Sequence, residues 1–255
     1  MIELRTPAEI EQMKAAGAFV ADVLKATSAA AAVGVNLLEL DALAHDMIRT
    51  AGAESCYLDY HPSFGGSPFG RVICTSVNDA ALHGVPHDYR LKDGDVLSLD
   101  FAASVDGWVC DSAVSVIVGT PRAEDERLID VVERALAAGI AAAQPGGRMG
   151  DVSAAIGAIC LAEGFGVNTD FGGHGVGRTM HGDPHVPNNG RPGRGMPLKP
   201  GLVFAIEPWL MHGTDRIYTD AADGWTLRSA DGSRAAHVEH TVAITESGPV
   251  VLTAR

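Results

Sequence analysis

Apolar positions recur at two different periods along the chain, and each change of period marks a new element. From Thr6 the spacing is helical. Ile10, Met13, Val20 and Leu24 form one stripe, opened by Thr6 as N-cap, Pro7 at the first helical position and Glu9 closing a capping box. A second helix follows Asn36, with Leu40, Leu43, Met47 and Ile48 inward and Gly52 as its stop. Residues 56–71, CYLDYHPSFGGSPFGR, read as a loop, followed by the short apolar run VICTSV and then NDAALHGVP. Residues 95–117, DVLSLDFAASVDGWVCDSAVSVI, are two β-branched runs about Asp106-Gly107, which predicts a β-hairpin. At Thr120-Pro121 the helical period returns and runs to about Ala143, with Leu128, Val131, Val132, Leu136 and Ile140 inward. A further helix, from about Gly150 to Gly164, follows Pro145-Gly146-Gly147. The Gly-rich stretch FGGHGVGRTMHGDPHVP, a Pro/Gly loop and the strand-like LVFAIEP come next.

The order helix, helix, loop, strand therefore occurs twice. Thr6-Pro7 corresponds to Thr120-Pro121, Gly34 to Gly147, and Gly52 to Gly164. LKDGDVLSLDF at 91–101 corresponds to LKPGLVFAIEP at 198–208, which sets Asp100 against Glu207, and DSAVSV from Asp111 resembles EHTVAI from Glu239. The period is longer than that of solenoid repeats. The chain is expected to be a single α+β domain over 1–255 with two pseudo-symmetric halves, about 1–119 and 120–255.

That repeat gives the carboxylates in the hairpin a meaning they lack alone. With Asp106-Gly107 as a two-residue loop, Asp111 lies opposite Ala102 and Asp100 is its diagonal neighbour on the same face. With a four-residue loop, Ser104 to Gly107, the two aspartates face each other, and an odd loop would separate them onto opposite faces. Like charges this close are unfavourable unless a cation lies between them. If the two sheets join at the pseudo-axis, Asp100, Asp111, Glu207 and Glu239 converge, and four buried carboxylates without a cation would be prohibitively costly. They predict a metal site of hard or borderline divalent ions. A nitrogen ligand is expected from HGVGRTMH, which holds His174 and His181 among glycines that let backbone approach closely; His83, in LHGVP, is a weaker candidate.

Composition narrows the partners. Among 255 residues there are 19 Lys and Arg against 32 Asp and Glu, a net charge of −13, with a pI near 5.1. That balance argues against a nucleic-acid surface. No apolar run approaches the ~18 residues of a membrane span, and the charged start MIELRTPAEIEQM has no apolar signal core. Cys56, Cys74, Cys110 and Cys160 show no CxxC spacing, so neither a zinc-thiolate site nor a disulfide framework is indicated. A reducing cytoplasm and a monomer are the expectation.

SLDF…VCD, GGHGVGR…H, FAIEP and HVEHT, in that order over nearly the whole chain, resemble the type I methionine aminopeptidases of the bacterial short form. The resemblance implies the pita-bread fold: two pseudo-symmetric α+β halves around a central antiparallel sheet flanked by helices. It implies that Asp100, Asp111, His174, Glu207 and Glu239 ligate two divalent ions (Co, Mn, Fe or Zn). Asp111 and Glu239 would bridge them, Asp100 would chelate one, and His174 and Glu207 would bind the other. His83 and His181 would contact substrate, with Glu207 as proton acceptor. Tyr60, Phe69, Cys74, Met180 and Trp225 would line the methionine pocket, and the carbonyls of Asn78, Ala80 and Ala235 match a monovalent-cation site. Substrates would be peptides and nascent polypeptides at the ribosome, with a small second residue. Three departures touch the pocket: PSFGGSP at 62–68 looks like an insertion, Phe69 stands where an aromatic hydroxyl is common, and Met180 stands where phenylalanine is often found.

Prolidases and aminopeptidases P share this site but usually carry a sizeable N-terminal domain, whereas here the first capped helix starts at Thr6. Type II methionine aminopeptidases are disfavoured because no long helical insertion separates GGHGVGR from FAIEP. A catalytically dead pita-bread binding module would lack one or more ligands, and none is missing.

Overall fold

The computed structural model describes residues 2–62 and 67–255. Its helices are α1 (Pro7–Ala30), α2 (Leu37–Ala51), α3 (Ala123–Ala142) and α4 (Met149–Ala162). The strands are β1 (Glu54–Ser55), β2 (Cys74–Val77), β3 (Ala80–Leu82), β4 (Asp95–Val105), β5 (Trp108–Val118), β6 (Gly173–Gly175), β7 (Gly182–Val186), β8 (Val203–Ile206), β9 (Trp209–Met211), β10 (Ile217–Thr219), β11 (Leu227–Ser229), β12 (Ala235–His237), β13 (Glu239–Thr245) and β14 (Gly248–Val251). The main sheet runs β1-β4-β5-β13-β8-β6-β7, with β2 on β4 and β14 on β13. Its pairings are antiparallel.

The sheet is two-faced because its strands alternate. In β4, Leu97, Leu99, Phe101 and Ala103 enter the core under α1 and α2. Ser98, Asp100, Ala102 and Ser104 point the other way. In the second half, Phe204, Ile206, Val242 and Ile244 pack under α3 and α4. Two helix pairs thus cover two halves of one sheet, the pita-bread arrangement.

Local chemistry sets the helix ends. Thr6 and Glu9 form the expected capping box, and Asn36 and Glu39 form a second one on α2. Gly52 ends α2 in the left-handed conformation. Leu43 and Met47 are only half-buried, while Leu37 and Ala44 are buried on that face. Two details of the repeat differ from the sequence expectation. α3 starts at Ala123, with Arg122 as an N-cap that makes no side-chain cap bond, and the Thr120 amide instead donates to Asp93 Oδ1 at 2.6 Å. The equivalent of Gly34 is Gly146 rather than Gly147. Gly34 and Gly146 both have positive φ, and their amides donate to the carbonyls of Leu91 and Leu198.

The hairpin takes the two-residue loop. Asp106 and Gly107 both have positive φ, as a type I′ turn requires, and Val105 pairs with Trp108. Asp111 is therefore opposite Ala102, and Asp100 is opposite Ala113.

Candidate metal centre

The register of three strands builds one row of side chains. Asp100 of β4 pairs with Ala113 of β5, and Ala113 pairs in turn with Glu239 of β13. β13 pairs with β8 through His240 and Ile206, so one more step of the same register sets Glu239 opposite Glu207. Asp111 lies two residues before Ala113 on the same face. Directly opposite residues share a face and lie ~5 Å apart, so four carboxylates converge around the small side chain of Ala113. Both aspartates face the second half, as an even loop demands.

His174 arrives from the glycine-rich segment. A Cβ on Gly173 would stand 2.1 Å from the Ala205 carbonyl oxygen, so only glycine lets β6 lie this close to β8. His174 Nε2 then stands 3.7 Å from Asp111 Oδ2 and 3.8 Å from Glu207 Oε1. Ligand atoms of Asp100, Asp111 and Glu239 lie within 4.8 Å of one another, as do those of Asp111, His174 and His181, and those of Glu207, His237 and Glu239. Asp111 and Glu239 each belong to two of these three groups.

The charges respond to this crowding. Burial, then the charges of Asp100 and Glu207, push Asp111 well above the usual carboxylate range. Burial, then Asp111 and Glu207, do the same to Glu239. Burial would also raise Glu207, but the neighbouring His237, His174 and His181 outweigh it and bring it down. Burial lowers His83 despite Asp100 and Glu207 nearby. His83 also holds a positive φ, a conformation uncommon for a residue with a side chain.

One cavity of about 370 Å³ contains these groups. Asp100, Asp111, His174, Glu207 and Glu239 line it together with His83, His181, Tyr60, Phe69, Cys74, Met180 and Trp225. Phe69 and Trp225 pack edge to face, with centroids 5.3 Å apart. Cys74 pairs with Asp100 across β2 and β4, which places it on the cavity floor. Burial, then the nearby carboxylates, raise its thiol well above the ordinary value. Of the apparent insertion at 62–68, Ser63–Gly66 lie outside the described residues.

Residues 11–246 match metallopeptidase family M24. The chain belongs to that family. Within it, the chain is 44% identical to methionine aminopeptidase 1 of Mycobacterium tuberculosis, covering 99% of this chain and 95% of that one. It is 42% identical to the methionine aminopeptidase of Aquifex aeolicus, over 99% and 98%. The solved methionine aminopeptidase of Thermotoga maritima superposes with a TM-score of 0.94 at 38% identity, each chain covered fully. A prolidase from Pyrococcus furiosus shares the fold at TM-score 0.79 and 24% identity, with 65% of that chain covered.

The donor set fits the divalent ions of an M24 metallopeptidase. It combines carboxylate oxygens with imidazole nitrogens, which suit borderline ions. It also contains a buried carboxylate oxygen without a hydrogen-bond partner among the described residues, Glu239 Oε1. Native proteins seldom leave such atoms unsatisfied unless a ligand or ion engages them.

Two residues of this centre escaped the sequence reading. The Tyr57 hydroxyl donates to Asp100 Oδ1 at 2.6 Å and reaches Asp111 Oδ1 at 3.4 Å. Nothing in CYLDY distinguishes it from Tyr60. His237 had a signal: it stands two residues before Glu239, and strand periodicity places such a pair on one face. Asn78, Ala80 and Ala235 are brought together, with the Ala235 amide donating to the Asn78 carbonyl at 2.8 Å and Asn78 and Ala80 lining one small cavity.

Proposed function

We propose that the chain is a methionine aminopeptidase that removes the N-terminal methionine from peptides and nascent proteins with a small second residue. The observation that carries this reading is the apolar slot of Phe69, Trp225, Met180 and Cys74 opening directly onto the carboxylate–imidazole cluster. Such a slot takes an unbranched thioether, whose sulfur contacts aromatic edges favourably.

Asp100, Asp111, His174, Glu207 and Glu239 would hold two divalent ions, with Asp111 and Glu239 as the shared ligands. Their membership of two donor groups each supports that assignment. When bound, the ions supply Lewis-acid polarisation of the scissile carbonyl and acidify water. Mn, Fe, Co and Zn all suit the donors, and availability selects among them.

The chain's own residues supply the rest. Tyr60 Oη lies 2.7 Å from His181 Nδ1, and burial keeps its hydroxyl protonated. With Tyr60 donating to Nδ1, neutral His181 carries its proton on Nε2. That N–H is offered to the carbonyl oxygen as it gains charge. His83 contacts the scissile amide nitrogen and assists its departure. Glu207 would take a proton from the attacking water and give it to the departing amine nitrogen.

The chain works as one catalytic domain over 1–255, with halves of about 1–119 and 120–255. It would act as a monomer in the cytoplasm, meeting substrate as it leaves the ribosome. Among the described residues no helix is long and apolar enough to cross a membrane. The carbonyls of Asn78, Ala80 and Ala235 are the proposed monovalent-cation site.

The test is release of free methionine from Met-Ala-Ser against Leu-Ala-Ser and Ala-Pro-Ser, after chelation and with Mn or Co restored. Metal-dependent release from Met-Ala-Ser alone is expected. No metal-dependent release from any peptide would overturn the enzyme reading, and cleavage only before proline would assign the chain to prolidase-type chemistry.

A further inference from the structure

Glu207 shows its two carboxylate oxygens to two different imidazoles. Oε1 lies 3.8 Å from His174 Nε2, on the side of Asp111. Oε2 lies 3.6 Å from His237 Nε2, whose next carboxylate neighbour is Glu239 Oε2 at 3.9 Å. His237 is 2% exposed, and its Nε2 has no hydrogen-bond partner among the described residues.

The backbone beneath this imidazole is held from several sides. The His237 amide donates to Ser98 Oγ at 3.2 Å and Ser115 Oγ at 3.0 Å, and its carbonyl accepts from Ser115 Oγ at 2.8 Å. The two serine hydroxyls are themselves 2.8 Å apart. β12 pairs with β9 so that His237 is opposite Trp209, two residues beyond Glu207. The two side chains are thus carried by paired segments, with little freedom to separate.

Glu207 as a carboxylate can only accept, and a neutral imidazole has one N–H to give. Of the polar atoms near Nε2, Glu207 Oε2 is the nearer carboxylate oxygen. Hydrogen bonds around a catalytic group are often long in an unliganded site and tighten when the complex forms. We propose that His237 is a positioning residue for Glu207, donating its Nε2–H to Oε2 so that Oε1 is held on the side of His174 and Asp111. The proposal rests on the metallopeptidase reading of Glu207.

Two variants and a measurement on the unaltered chain test it. In zinc-loaded protein, nitrogen NMR of the ring should find His237 Nε2 protonated. His237→Leu should still bind two ions per chain, but ~10–100-fold more weakly by Mn calorimetry. Its kcat on Met-Ala-Ser should fall at least tenfold with KM little changed. His237→Gln, which keeps an N–H donor, should recover most of both losses and leave the Co(II) absorption spectrum unaltered. An unprotonated Nε2 in the unaltered chain overturns the proposal even if both variants fail to fold. A changed Co(II) spectrum or a lost ion in His237→Gln makes His237 a ligand instead. Unaltered affinity and kcat in His237→Leu leave it a purely structural residue. The NMR and calorimetric results stand whether or not the chain releases methionine, so failure of the activity assay is read separately.

Discussion

Tyr57 and His181 show how single side chains set this site. The Tyr57 phenol is buried, and burial followed by the charges of Asp100 and Asp111 raises it well above its ordinary value, so it remains a donor. Removing its hydroxyl by Tyr57→Phe keeps the edge-on packing with Phe69, 5.7 Å between centroids, but leaves Asp100 without that donor. Mn affinity should drop ~10–100-fold in calorimetry, as for other groups that orient metal ligands, with the folded far-UV spectrum retained. His181→Ala removes the proposed donor to the carbonyl oxygen. Its kcat should fall ~10²–10³-fold with Mn affinity nearly unchanged, the size seen when one such donor is lost. Near-full turnover in steady-state assays would remove His181 from that role. Tyr57 was invisible in the sequence because its partner Asp100 is 43 positions away, and only the fold brings the two together.

At the scale of elements, Ala113 separates Asp100 from Glu239 in one cross-strand row and is fully buried. Ala113→Val adds two methyl groups to the face the carboxylates share. The expected result is loss of at least one bound ion per chain by metal analysis, while the hairpin register survives because Asp106-Gly107 sets it. The helix caps are a separate matter. Asn36 accepts from Leu38 N at 3.0 Å and donates to Asp88 Oδ1 at 2.6 Å. Asn36→Ala should cost about 1–2 kcal/mol, a fall of roughly 2–8 °C in Tm for a chain of this size, with kcat of the loaded protein unchanged. The Thr6 capping box, the Asp106-Gly107 turn signal and the helical stripes were legible because each depends on residues within a few positions. The start of α3 differs from the sequence expectation for a related reason. Thr120-Pro121 looks like a cap locally, but Asp93 from the preceding loop takes the Thr120 amide and the helix begins three residues later.

At the scale of the whole molecule, the metal cluster couples stability to pH. Without ions, Asp111 and Glu239 are raised by burial and then by neighbouring charge. Their contribution to the stability of the ion-free chain is complete below about pH 4. It is lost as pH rises through the raised values. Ion binding needs the same carboxylates deprotonated and strengthens over that rise. The two trends reinforce each other, so the Tm difference between Mn-loaded and chelated protein should grow from pH 5.5 to pH 8 in thermal-shift scans. At ~1,000 times Kd it should reach roughly 8–16 °C. A difference that shrinks with rising pH would show that these carboxylates are not the ones holding the ion. The hairpin, the helix pairs and the repeat that sets Asp100 against Glu207 were determined by the sequence alone, because hydrophobic period, turn chemistry and capping act over a few residues. How Ala113 spaces the row, and that Tyr57 and His237 face the carboxylates, were decided only by the tertiary structure. Those outcomes follow from strand pairing between residues more than 120 positions apart, such as Ala113 with Glu239, where a side chain's neighbours depend on the packing of both halves and not on its own surroundings in the chain.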